Sequence, residues 1–346
     1  MTQLVAVLFS GGVDSALAAH LLREQGWEVL AVHLRLTDPG EAARRAAPLA
    51  AALGLPLVEV DLRREFAHAV VEDFIRSYAR GLTPNPCVRC NALIKFGVLW
   101  ERVKAMGATH LATGHYVRRL PAPEGGFGLW RGVDRAKDQS YFLQRLPREL
   151  LPVVLFPLGE LTKAEVRRRF RELALPVEVP PESQEVCFIP REGYGEFLRQ
   201  AGVRASPGEI VDRRGRFLGR HAGLVAYTVG QRRGLGVAAR EPLYVLELHP
   251  ETNRLVVGPR EELFVPGLRA GGAHWLLELP GEFEATAVIR YRHPGVPARI
   301  HREGEGALTV HFAVPQAAVA PGQGVAFYDG DRLLGGAWIE AALHRA

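Results

Sequence analysis

No stretch of this chain comes near the roughly 20 consecutive apolar residues that a bilayer-spanning helix needs. Its apolar runs are short, as from Leu4 to Phe9. No charged segment followed by an apolar core opens the sequence either, so a soluble, cytoplasmic protein with no membrane partner is expected. Cysteine is scarce and odd in number, with only Cys87, Cys90 and Cys187. Three thiols in a chain without an export signal argue against a disulfide framework and for redox, metal or nucleophilic use. Lysine is nearly missing, at four of the 43 basic residues, and neither an internal repeat nor a low-complexity tract is visible. Disorder on a large scale is excluded by a composition of 47% hydrophobic and 23% charged residues, close to the globular average.

What is present points to more than one domain, since 346 residues exceed what a single compact core usually holds. The formal charge of +5 is unevenly spread, and Arg191 to Arg240 carries ten arginines against four acids. Such a stretch can meet phosphate, although a solvated face is the commoner reading of a charge run.

The first hundred residues alternate strand and helix signals. Leu4–Phe9 reads as a buried strand; Val13, Leu17, Leu21 and Leu22 then recur at helical spacing until Gly26. Glu28–Leu34 and Leu57–Val60 read as further strands; Glu41–Leu53, Arg64–Arg80 and Asn91–Met106 read as helices, and His110–Thr113 completes the cycle. This alternation predicts an α/β fold with a doubly wound parallel sheet, its ligands bound in loops at the carboxyl ends of the strands. From about residue 190 the texture becomes β-rich, with short stretches at Glu209–Val211, Gly223–Val229 and Leu243–Leu248. From Leu268 it is regular β (Thr286–Tyr291, Ala298–His301, Ala307–Phe312, Gly324–Tyr328, Leu333–Ile339), which predicts a small C-terminal β-barrel. The expected boundaries are 1–192 for the α/β domain, 193–264 for a small β-rich middle domain and 265–346 for the barrel.

The first strand runs straight into Ser10, Gly11, Gly12, Val13, Asp14 and Ser15, then into a helix. Glycines allow close backbone approach, the serines offer hydroxyl donors, and the first turn of the helix presents unpaired N–H groups to an anion. This is a phosphate cradle, and it matches neither GxxxxGK[ST] nor GxGxxG. Gly234, Leu235, Gly236 and Ala239 imitate a dinucleotide fingerprint but lack its strand–turn–helix setting.

Cys87 and Cys90 lie three apart after Thr83, Pro84, Asn85 and Pro86, directly before a helix. A thiol at a helix N-terminus beside an arginine is expected to have a depressed pKa and more thiolate at neutral pH. A structural zinc site is one ligand short with three cysteines and no histidine at ligand spacing. Inert buried thiols are a second reading. Sulfur chemistry is the third, either as a persulfide relay or as a three-thiolate iron–sulfur cluster with one open iron position.

SGGVDS after the first strand resembles the loop of the N-type ATP pyrophosphatases, which adenylate an oxygen, release pyrophosphate and let a nucleophile displace AMP. Further motifs in order along nearly the whole chain narrow the resemblance. They are TPNPxxxCN at Thr83–Asn91, ATGHYVR at Ala112–Arg118, KDQSYFL at Lys137–Leu143, ESQEVCFI at Glu182–Ile189, the GEIVDRRGRFLGRHAGLVAYTVGQRRGLG segment from Gly208, and IRYRH, PGQ and FYDG near the end. Together they resemble the bacterial-type tRNA-specific 2-thiouridylases, which act on the wobble uridine.

That resemblance implies ATP and Mg²⁺ as cofactors and tRNA as substrate. Leu8, Phe9, Ser10, Gly11, Gly12, Val13, Asp14, Ser15, Leu34 and Gly114 match its ATP contacts, with Asp14 helping to hold Mg²⁺ on the departing pyrophosphate. Cys90 matches its nucleophile and Cys187 the persulfide carrier, and the two are able to form a disulfide after sulfur release. Asn85, Pro86 and Cys87 match the residues facing the target base. His115, Lys137, Asp138 and Gln139 match the tRNA path, while Arg290, Tyr291 and Gln323 match contacts to the anticodon arm. The chain departs from the better-known form of the family where Cys87 stands for an aspartate. A thiol ligates well but is a poorer general acid–base group, and it completes three cysteines, Cys87, Cys90 and Cys187, able to hold a [4Fe–4S] cluster.

In the implied reaction a flipped uridine presents its C2 oxygen to the α-phosphate, and a persulfide on Cys187 then attacks C2. A cysteine desulfurase or sulfur-relay protein must load that sulfur. Two rivals remain: another adenylating enzyme of the superfamily with an amine nucleophile, and a tRNA-binding protein that keeps the loop only as scaffold.

Overall fold

The computed structural model describes residues 3–37, 41–176, 186–190 and 192–344. The chain divides into two compact units, the first formed by Met1–Val70, Cys87–Glu185 and Asp329–Leu334, the second by Val71–Pro86, Val186–Tyr328 and Gly335–Ala346. Compact unit and contiguous segment therefore do not coincide.

The first unit holds a five-stranded sheet of β1 (Leu4–Leu8), β2 (Glu28–Arg35), β3 (Leu57–Asp61), β4 (His110–Ala112) and β7 (Val154–Leu155), in the order β3-β2-β1-β4-β7. All of its pairings are parallel. β1 is the central strand, and Val5, Ala6 and Val7 are fully buried. This is why the run is continuously apolar rather than alternating: helices cover both faces of a parallel sheet. α1 (Val13–Glu24) turns Ala16, Ala19 and Leu22 toward a core shared with Leu49 and Leu53 of the helical segment after β2, α2 (Glu41–Ala52) and its exit. Its other side, Leu17 and Ala18, packs with Tyr116 and with Val166 of a later helix, Lys163–Glu172.

The expected helix Arg64–Arg80 is present but not uniform. α3 (Arg63–Phe66) passes through a π-turn at Ala67–Val71 into α4 (Glu72–Ala79). Likewise α5 (Pro86–Cys90) and α6 (Leu99–Ala105) flank a π-segment at Asn91–Val98. Wider turns of this kind recur at functional sites. Between β4 and β7 the chain inserts an antiparallel hairpin, β5 (Val117–Pro121) and β6 (Phe127–Arg131), to which Arg332 and Leu333 add by pairing with Trp130 and Leu129. The Lys163–Glu172 helix is α7.

In the second unit α8 (Tyr194–Gln200) is followed by a four-stranded sheet of β8 (Gly208–Val211), β9 (Phe217–His221), β10 (Tyr244–His249) and β11 (Arg254–Gly258), ordered β10-β11-β8-β9. The stretch Gly223–Val229, expected as a β element, is not one: Leu224–Ala226 forms a single 3₁₀ turn. Gly223 there has a φ of +156°, and a Cβ on it would meet that of Ala205 at 2.6 Å.

The remaining strands, β12 (Phe264–Trp275), β13 (Glu282–Val288), β14 (Val296–Arg302), β15 (Leu308–Ala317), β16 (Gly324–Asp329) and β17 (Arg332–Leu343), follow the order β12-β15-β14-β13-β16-β17. β12 also pairs with β17, which closes a six-stranded antiparallel barrel. Closure removes the exposed sheet edges. Along β14 inward Val296, Ala298 and Ile300 alternate with exposed neighbours, as a half-buried strand requires. Among the described residues no helix is long and apolar enough to cross a membrane.

Candidate active site

The order β3-β2-β1-β4-β7 reverses direction beside β1, so the carboxyl ends of β1 and β4 flank the crevice where doubly wound sheets take their ligands. After β1 the chain makes the Ser10–Ser15 turn. Ser15 Oγ donates to the Gly12 carbonyl at 3.0 Å and accepts from the Ser10 amide at 3.2 Å, and the two serine hydroxyls lie 3.3 Å apart. Gly12 caps α1 without any side-chain hydrogen bond. The amides of the first helical turn thus remain directed at whatever occupies the crevice, with the positive end of the helix behind them. Gly11 has a φ of +75°, and a Cβ on it would come within 2.9 Å of the Ala46 amide nitrogen. Only glycine fits this backbone.

The opposite wall follows β4. A Cβ on Gly114 would lie 3.0 Å from the carbonyl carbon of Asp14, so the two loops meet backbone to backbone. His115 Nδ1 lies 2.7 Å from Thr113 Oγ1. Burial, with Lys95 adding to it, holds the His115 imidazole well below its ordinary pKa, so it is neutral at pH 7. Loops and strand ends enclose a cavity of about 330 Å³. Of the residues expected from sequence, Leu8, Phe9, Ser10, Asp14, Ser15, Leu34, Gly114, His115 and Gln139 line this one cavity. Gly11 and Gly12 lie in the turn between β1 and α1, and Val13 opens α1.

Asp14 is the cavity's carboxylate among the described residues. Lys163 Nζ lies 2.8 Å from its Oδ1 and 2.7 Å from its Oδ2, and the Tyr116 hydroxyl donates to Oδ1 at 2.7 Å. One carboxylate beside nucleotide phosphates suits Mg²⁺, which is held by few protein oxygens, substrate oxygens and water. Lys163 was missed in the sequence. The signal was there: Thr162-x-x-Glu165 is a capping box that makes Lys163 the first residue of α7, and lysines are few.

Cys87 is exposed, Cys90 buried and Cys187 exposed. The expected acidification of Cys87 does not occur. Although part of the residue reaches solvent, burial of the thiol pushes its pKa up, with Lys95 pulling weakly the other way. Desolvation outweighs the nearby Lys95 ammonium. Cys90 closes α5, and the next residue, Asn91, donates from Nδ2 to the Phe142 carbonyl at 3.1 Å. Cys87 and Cys90 belong to the first unit and Cys187 to the second. There Phe188, beside Cys187, packs edge-on against Phe74 at 5.2 Å and against Phe197 at 5.4 Å between ring centres. Glu182–Glu185 of the ESQEVCFI motif lie outside the described residues. Among the described residues no three His, Cys, Asp or Glu side chains gather as a metal site.

The other expected contacts are more dispersed. Asn85 is half-buried and Pro86 buried. Lys137 is half-buried, whereas Asp138 is buried and accepts from Gly132 N at 3.0 Å and from the Ser140 hydroxyl at 2.8 Å. Gln139 Oε1 accepts from the Tyr116 amide at 3.0 Å. In the barrel Arg290 is exposed and donates to the Ala317 carbonyl at 3.3 Å, and Tyr291 is half-buried under the Arg292 guanidinium. The Gln323 amide donates to Thr83 and Pro84 carbonyls. In the Arg-rich segment, Arg213 and Arg216 pair with Glu262 and Asp212. Arg214, Arg220, Arg232, Arg233 and Arg240 are exposed without an ion-pair partner among the described residues.

Three family descriptions match the chain in succession: tRNA methyl transferase HUP domain over residues 3–191, tRNA methyl transferase PRC-barrel domain over 195–259, and Aminomethyltransferase beta-barrel domain over 265–339. Among curated proteins the chain is 46% identical over 345 residues to the tRNA-specific 2-thiouridylase MnmA of Trichlorobacter lovleyi, with 98% of each chain covered. It is 44% identical over 357 residues to the protein of that name from Carboxydothermus hydrogenoformans, again with 98% of each covered. A third, from Chloroflexus aggregans, is 44% identical over 350 residues, covering 97% of this chain and 98% of the other.

Proposed function

The chain belongs to the tRNA-specific 2-thiouridylase family, and from that membership we propose that it is an ATP-dependent tRNA sulfurtransferase that converts the wobble uridine to 2-thiouridine. The observation that carries this reading is the convergence of Ser10–Ser15 and Thr113–His115 on one cavity at the sheet's switch point.

ATP lies with its phosphates on the Ser10–Ser15 turn and the first-turn amides of α1, and its base and ribose toward Leu34 and Gly114. Asp14 would hold Mg²⁺, which would supply positive charge to offset that of the departing pyrophosphate. The flipped uridine lies against Asn85, Pro86 and Cys87. Its C2 oxygen attacks the α-phosphorus, the α–β phosphoanhydride bond breaks, and the N3 proton is lost as the adenylated base forms. A persulfide on Cys187 then attacks C2, a C–S bond forms and AMP leaves. The Cys90 thiolate attacks the inner sulfur of Cys187, which leaves sulfur on C2 and a Cys90–Cys187 disulfide that an external thiol reduces. The neutral His115 serves as a hydrogen-bond partner in this pocket rather than as a charge. Arg214, Arg220, Arg232, Arg233 and Arg240 offer guanidinium groups for tRNA phosphates. A cysteine desulfurase or sulfur-relay protein supplies the sulfane sulfur, and the whole runs in the cytoplasm.

The test is mass spectrometry of the wobble nucleoside after incubation with tRNA, ATP, Mg²⁺ and a sulfane-sulfur source, a cysteine desulfurase with cysteine. 2-Thiouridine must appear with the wild type and vanish with Cys90→Ser and Cys187→Ser. ATP-dependent release of AMP and pyrophosphate on tRNA that is undiminished in both serine variants, with no 2-thiouridine formed, rejects thiol chemistry in favour of an amine-type adenylating enzyme. tRNA binding without AMP or pyrophosphate rejects catalysis altogether.

A further inference from the structure

A single carboxylate, Asp14, faces two cations on this reading. It lines the cavity, while Lys163 Nζ contacts both of its oxygens at 2.7 and 2.8 Å and Tyr116 donates to Oδ1. Lys163 is not part of the cavity wall. It stands behind Asp14 on the first residue of α7, its amide donating to Asp134 Oδ2 at 2.9 Å and its helix start fixed by the Thr162–Glu165 capping box. Its side chain is 10% exposed and that of Asp14 25%, so the pair is screened less than an ordinary surface pair. An ammonium held this way mutes the negative charge that Asp14 would otherwise turn on a triphosphate. It also competes with a divalent cation for the same two oxygens.

We propose that Lys163 is a positioning residue that sets how strongly nucleotide binding depends on Mg²⁺. It keeps Asp14 oriented by a two-point contact and withholds part of its charge from the metal. The proposal rests on the reading of the cavity as the ATP site. Without the ammonium, metal-free nucleotide meets an uncompensated carboxylate and binds more weakly, while Mg²⁺ meets a stronger ligand. The ratio of dissociation constants without and with Mg²⁺ therefore rises.

The experiment is calorimetric binding of the α,β-methylene analogue of ATP to the full chain, in EDTA and in saturating Mg²⁺. Lys163→Met is expected to raise the ratio about tenfold, within the usual range of coupling between two ligands. Asp14→Asn is expected to bring the ratio toward one, Lys163→Arg to keep it near wild type, and Asp14→Asn with Lys163→Met to match Asp14→Asn alone. Damage to the fold lowers binding in both buffers and does not raise the ratio. Should circular dichroism show Lys163→Met unfolded, Lys163→Gln replaces it with the same expected direction. A ratio at or below the wild-type value, or a double variant unlike Asp14→Asn, overturns the proposal. A wild-type chain that binds the analogue in neither buffer overturns the reading of the cavity instead, and this proposal with it.

Discussion

Gln323 holds Thr83: its Nε2 donates to the Thr83 carbonyl at 3.1 Å and to that of Pro84 at 3.3 Å, across 240 positions of sequence. The Thr83 amide in turn donates to Pro321 at 2.8 Å. The loop before β16 thereby grips the turn that leads into Asn85, Pro86 and α5. Gln323→Ala leaves two carbonyls without this donor, a change worth about 1–2 kcal/mol. The Thr83 amide should exchange with deuterium about tenfold faster, and 2-thiouridine formation should fall. Gln323→Glu, which also lacks the donor, should behave like the alanine variant. Unchanged exchange at Thr83 would show that the amide is dispensable to this turn.

Cys87 should be a slow thiol. With its pKa pushed above the ordinary thiol value by burial, less thiolate is present at pH 7 than in an unstructured peptide. In a Cys90→Ser, Cys187→Ser background, alkylation by iodoacetamide should be slower than for a free peptide thiol at pH 7. It should keep accelerating, about tenfold per pH unit, past pH 9 where the peptide has levelled off. A plateau below pH 8 would restore the acidified thiol that the helix start alone implies.

The nucleotide side of this protein was legible because its signals are local. A fully apolar β1 followed by Ser-Gly-Gly and a helix needs no distant contact to be recognised. The misjudged features depend on neighbours far along the chain. Acidification of Cys87 follows from the helix start, but desolvation belongs to the folded surroundings and reverses it. Lys163 reads as an ordinary first-turn residue until folding sets it against Asp14, 149 positions away. Gly223–Val229 has the composition of a strand, yet Leu224–Ala226 forms a 3₁₀ turn, and Gly223 lies where a side chain would collide with Ala205, a neighbour distant in sequence. The hairpin Val117–Arg131 likewise gains a partner at Arg332 and Leu333 that periodicity does not announce.

Thr162→Ala tests the support behind Lys163. The Thr162 hydroxyl accepts from the Glu165 amide at 3.2 Å, and Glu165 Oε2 accepts from the Thr162 amide at 2.7 Å. Loss of the cap should cost about 1 kcal/mol in urea unfolding. Because Lys163 is the next residue, the nucleotide affinity measured in EDTA should also fall, whereas Arg168→Ala, farther along α7 and exposed, should change neither quantity.

His115 gives the stability of the protein a defined dependence on acid. Folding disfavours its protonated form, chiefly through burial, whereas the unfolded chain takes up a proton near pH 6.5. Below that pH the unfolded state binds more protons, so the contribution of His115 is fully present above about pH 6.5 and is lost as pH falls toward its depressed folded value. The slope for one such group is at most about 1.4 kcal/mol per pH unit. His110, His221 and His293 are shifted in the same direction by burial, so His115→Gln should reduce the acid sensitivity without abolishing it. Urea midpoints at pH 7.5 and 5.5 should differ less in the variant than in the wild type, by the equivalent of about 1 kcal/mol. An equal drop in both proteins would mean that His115 takes up its proton as readily in the fold as in the unfolded chain, and a larger drop in the variant that the fold stabilises an imidazolium.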